Sequence, residues 1–130
     1  MLGDSLRPRE GNIMENITDE DMLSLLPTTK PYTIVVLKKG SEFDRQSPLI
    51  WEHGRRNFSL RADGRLAIVC PVDDGKDVTG VGIFNLDEHQ TRDLMDEDPC
   101  VRAGIFMYET HPTRSFSGDA LPADPWRAKM

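Results

Sequence analysis

Cysteine is scarce in this chain, with only two in 130 residues. Cys70 and Cys100 each fall in or beside a segment of strand character, and neither belongs to a C-x-x-C pair, so both read as buried free thiols rather than as a disulfide or zinc ligands. Positive charge is also short. Sixteen Lys and Arg stand against 22 Asp and Glu, a formal charge of −6, and no basic stripe exists to neutralise a phosphate backbone; nucleic acid is excluded as an expected partner. No apolar run approaches the roughly 20 residues that cross a bilayer, and "MLGDSLRPREGNIMEN" lacks the apolar stretch of a signal peptide. The chain is therefore expected to be cytoplasmic and to have no membrane partner. A glycine-rich phosphate loop and a nucleophile triad are both missing, and His89 and His111 are read as having no carboxylate or His at i, i+4 spacing, so no metal and no cofactor are expected.

What is present suits one fold unit with extensions at both ends. Residues 1–16 are polar, punctuated by Gly3, Pro8 and Gly11, and read as a flexible leader in which Met14 is an alternative start. Over 17–27, Thr18 with Asp21 forms a capping-box pattern and Pro27 ends a short helix. The main domain spans 30–113. Its first strand is "YTIVVLKKG", β-branched and closed by glycine. In the helix that follows, Ser47 is the expected N-cap, Pro48 the first helical position and Gly64 the stop; Ile50, His53, Gly54, Asn57 and Phe58 share one face. "RLAIVCPV" and "VTGVGIFNL" are two strands joined by the hairpin "DDGKD". Gly80 and Gly82 read as strand glycines that permit close approach. A second helix opens at Asp87 with Gln90 as its capping partner. "CVRAGIFMYETHP" reads as the fourth strand, with Val101, Ala103, Ile105 and Met107 on one face and Arg102, Gly104, Phe106 and Tyr108 on the other. The tail, 114–130, carries Phe116, Leu121 and Trp126, and is expected to pack on the domain or on a partner subunit.

The order β-α-β-β-α-β places the chain in the α+β class with a ferredoxin-like arrangement and an antiparallel sheet of order 4-1-3-2. That order gathers His53, the hairpin acids Asp73 and Asp74, and Asp98 at one end of the sheet. A residue before proline is driven out of the α region, so Asp98 is expected to stand extended where the imidazole of His53 reaches it. An aspartate that accepts from one imidazole nitrogen leaves the other as a general base. A buried hydrogen bond that merely ties helix to strand is the plainer reading of the same pair. Trp51, Asn57 and Lys38 are the candidate substrate contacts; packing for Trp51 and a solvated charge for Lys38 are their plainer readings, and Arg56 reads as a solvated helix charge. Both helices cover one sheet face, so the other needs a cover, and a homodimer with stacked sheets in the manner of a dimeric α/β barrel is expected.

The segments "WEHGRRNF", "GRLAIVCPV", "GVGIFNL" and "DEDPCVRAGIF" together resemble the YCII-related (YciI-like) domain family over residues 32–112, most specifically in D-P-x-V-x-A-G with an upstream histidine. The resemblance implies a ferredoxin-like dimer whose His and Asp, here His53 and Asp98, form the catalytic pair, and some relatives act on hydroxylated ring compounds by elimination or isomerisation. The expected function is that of a lyase or isomerase of a small organic ligand. The alternative is a non-catalytic metabolite-binding or regulatory dimer.

Overall fold

The computed structural model describes residues 16–117. Contacts separate Pro31–Arg114 from the residues that flank it. In the flanking part, helix α1 (Asp19–Leu25) starts at a complete capping box: Thr18 accepts from the Asp21 N–H, and the Asp21 carboxylate accepts from the Thr18 N–H. A 3-10 turn, Leu26–Thr28, carries Pro27. Met22, Leu23, Leu25 and Leu26 of this segment are exposed. The leader up to residue 15 and the tail from 118, including Leu121 and Trp126, lie outside the described residues.

The larger unit is built on strands β1 (Lys30–Lys39), β2 (Leu66–Pro71), β3 (Val78–Phe84) and β4 (Phe106–Ser115), with helices α2 (Leu49–Ala62), α3 (Glu88–Asp96) and the short α4 (Pro99–Arg102). The strands form one antiparallel sheet of order β2-β3-β1-β4, as the sequence leads one to expect. Opposite Val35 and Leu37 of β1, the β3 partners are Gly82 and Gly80. These residues alternate toward the helices, where Val35, Leu37, Leu60, Leu66, Phe84, Met95, Cys100, Ile105 and Phe106 close the core. The intervening residues, Ile34, Val36, Val81 and Ile83, point to the other face, and Met107 there is 55% exposed.

Three local expectations need correction. Residues 99–102 are not strand but helix: Asp98 is the N-cap of α4, its carboxylate accepting from the N–H groups of Cys100 and Val101, with Pro99 at the first helical position. Proline fits a helix start as well as a strand mouth, because its missing N–H has no partner to lose there. The chain then reverses at Gly104 (φ 75), a conformation that favours glycine. It runs so close to Gly40 that a Cβ there would lie 2.1 Å from the Gly104 carbonyl oxygen. The Gly40 N–H donates to Ile105 O and the Glu42 N–H to Gly104 O, which seats β4 beside the end of β1. In α2, Phe58 is 68% exposed and Leu60 is buried, so the inward face runs through His53, Asn57 and Leu60 instead. Pro48 rather than Ser47 stands at the N-cap position, although the Ser47 hydroxyl still accepts the Leu49 N–H.

Candidate active site

Helix α2 carries His53 onto its inward face, and α4 presents Asp98 from the opposite side. Nδ1 of His53 lies 2.7 Å from Oδ2 of Asp98. Asp98 is 1% exposed and His53 13% exposed by side chain, so the pair is shielded from screening by water. The second carboxylate oxygen, Oδ1, accepts from the Cys100 N–H at 2.9 Å and the Val101 N–H at 3.4 Å. Burial pushes the Asp98 carboxyl upward; the His53 hydrogen bond and charge and these two backbone donors outweigh it, holding the carboxyl below the ordinary carboxylate value.

On the other side of the ring, Asn57 Nδ2 stands 3.2 Å from His53 Nε2. An amide N–H donates to Nε2 only if that nitrogen is unprotonated, which matches Nδ1–H donating to Asp98; the two contacts select one tautomer together. Rotation of the Asn57 amide would offer its oxygen to a protonated Nε2. Phe106 packs edge-on to the imidazole at 5.1 Å between centroids.

His53, Gly54 and Asn57 form one wall of a cavity of about 280 Å³ between α2 and the sheet, whose opposite wall includes Val35, Leu37, Gly80, Gly82 and Phe84. The lining is predominantly apolar with His53 and Asn57 as convergent polar groups, the usual composition of a small-molecule site. A second cavity of about 210 Å³, lined by Lys39, Phe43, Arg45, Asp73 and Lys76, shares Ile50, Thr79 and Phe106 with the first.

The structure thus brings His53, Asp98 and Asn57 together. It places the other two candidates elsewhere. Trp51 is 74% exposed and lines neither of these cavities, and Lys38 pairs with Glu109 at 3.5 Å. Its neighbour Lys39 is the lysine that reaches a cavity. Arg56 departs from the solvated reading: its side chain is 20% exposed, Nη2 donates to Leu94 O at 2.6 Å, and Nη1 is buried without a hydrogen bond, 4.0 Å from Asp98 Oδ2. The three-residue spacing from His53 carried that signal, since helix positions three apart are neighbours. Tyr108 donates to Asp96 Oδ1 at 2.6 Å, fastening β4 to α3. The reading that His89 lacks a carboxylate at i, i+4 is corrected: Asp93 stands there at 3.4 Å, with both side chains exposed.

His53, Asp98 and Cys100 hold potential ligand atoms within 4.8 Å of one another. The Cys100 thiol is pushed up to about 11, first by burial and then by the Asp98 charge. Without a metal it therefore keeps its proton at neutral pH. Among the described residues no helix is long and apolar enough to cross a membrane. No protein-family model matches the chain, and neither does any curated protein.

Proposed function

We propose that this chain is a YCII-related, ferredoxin-like protein in which His53, oriented by Asp98, is the general base of a lyase or isomerase acting on a small organic molecule. The observation that carries this reading is the 2.7 Å His53–Asp98 contact at the wall of an apolar cavity. In the proposed step, Nε2 takes a proton from a carbon beside an electron-withdrawing group. The C–H bonding pair becomes a carbon–carbon π bond as the π pair of that group moves onto its oxygen, and the imidazolium is stabilised by the Asp98 carboxylate. An isomerase then returns that proton at another carbon. A lyase instead expels a leaving group with its electron pair. A homodimer closing over Ile34, Val36, Val81, Ile83 and Met107 belongs to the same proposal, because such a face needs a cover.

One observation favours the rival, a module that binds a metabolite without turning it over: the Asn57 amide already occupies the Nε2 lone pair. Catalysis requires the ligand to displace it. A screen of small organic molecules by thermal shift, followed by NMR detection of solvent deuterium entering each hit, separates the two. Exchange in wild type that is lost in His53→Asn supports the base. Binding that survives His53→Asn, with no exchange in either protein, overturns the enzymatic reading in favour of the binding module.

A further inference from the structure

The second cavity differs from the first in its charge. Lys39, Arg45 and Lys76 line it together with one acid, Asp73. In a chain of net charge −6, five of the cations, Lys38, Arg55, Arg56, Arg65 and Arg92, each lie against a carboxylate. Lys39, Arg45 and Lys76 have no carboxylate within salt-bridge distance among the described residues. Lys39 instead lies over the Phe43 ring, 5.3 Å from its centroid. Phe43 in turn packs on Phe106 at 6.1 Å, and Phe106 on His53 at 5.1 Å. An aromatic path therefore runs from the imidazole to the ammonium through Phe106, which lines both cavities.

We infer that the ligand is a small organic acid: an apolar body fills the cavity beside His53 and Asn57, and a carboxylate sits among Lys39, Arg45 and Lys76. This rests on the reading of the dyad site given above, and it adds the substrate's charge. A carboxylate fits better than a phosphate. Phosphate sites draw on free backbone N–H groups at a helix start, and here the first N–H groups of α2 are already bonded, Leu49 and Ile50 to Ser47 and Trp51 to Pro48. Asp73 also offsets part of the positive charge. An arginine fork and two ammonium groups match one carboxylate. Held there, the acid would fix which carbon of the body faces Nε2.

Binding is measured by titration NMR at pH 8 with matched probes: phenylacetate, the neutral 2-phenylethanol, the cationic phenethylamine and benzylphosphonate. Phenylacetate is expected to bind at least about tenfold more tightly than 2-phenylethanol and to weaken with added salt. In the triple variant Lys39→Gln, Arg45→Gln, Lys76→Gln that preference should vanish while the affinity for 2-phenylethanol is unchanged. Equal affinity of the acid and the alcohol for wild type, or no binding of phenylacetate at millimolar concentration, overturns the inference. So does an undiminished preference in the triple variant, and tighter binding of benzylphosphonate overturns the choice of carboxylate. These readouts need no turnover. If the charge preference holds while His53→Asn leaves every activity untouched, the base has failed and the acid site stands.

Discussion

Glycine at position 54 is the sharpest probe of whether the first cavity exists for a ligand. Gly54 lies in the interior of the 14-residue helix α2, and its φ is not positive. An added Cβ would meet no heavy atom within 4 Å. Neither backbone conformation nor packing calls for glycine here, and glycine in a helix interior is less stable than alanine by about 0.5–1 kcal/mol. What its missing side chain leaves is space, since Gly54 lines the cavity beside His53. Gly54→Ala is expected to stabilise the fold by about 0.5–1 kcal/mol, a rise in Tm of roughly 2–5 °C for a chain of this size. Gly54→Leu should also fold, and its side chain should occupy the cavity and abolish the Tm increase that ligands give the wild type. Calorimetry with and without the screened ligands measures both. A drop in Tm for Gly54→Ala would mean the Cβ meets something, and ligand-induced stabilisation of Gly54→Leu equal to wild type would refute the cavity as the binding site.

Asp98→Asn should keep α4 capped, since asparagine is as good an N-cap as aspartate. Its amide N–H would face Nδ1 and shift the proton to Nε2, which ¹⁵N chemical shifts of His53 detect; base activity should fall with the tautomer. Asp98→Ala removes the cap and the His53 partner at a site 1% exposed, and a loss of about 3–5 kcal/mol is expected in urea titration. Because the folded-state Asp98 carboxyl lies below its ordinary value of 3.8, its contribution to stability is present above that value and is lost as pH falls through the lower folded value. Acid unfolding monitored by circular dichroism should therefore be shallower in Asp98→Asn than in wild type below about pH 4. The Tyr108 hydroxyl is raised to about 12 by burial first and then by its hydrogen bond to Asp96. Its stabilising effect is thus complete below pH 10 and declines from there toward pH 12, a decline that Tyr108→Phe should remove in alkaline titration.

The capping boxes at Thr18 and Asp87 were legible because each is settled by residues three apart. Strand order was legible from the succession of elements, since few antiparallel arrangements connect β-α-β-β-α-β without crossing. The meeting of His53 and Asp98 followed from that order, although through a different local geometry: the Asp-Pro dipeptide equally suits a strand mouth and a helix start. What selected the helix is not local. Gly40 and Gly104 approach too closely for a side chain, and β4 can pair with β1 only after the chain has turned through α4. The buried side of Arg56 and the two adjoining cavities were likewise set by packing between distant segments. Charge in a sequence says how many cations there are. Only the folded chain decides which of them find a carboxylate and which, like Lys39, Arg45 and Lys76, are left to line a cavity.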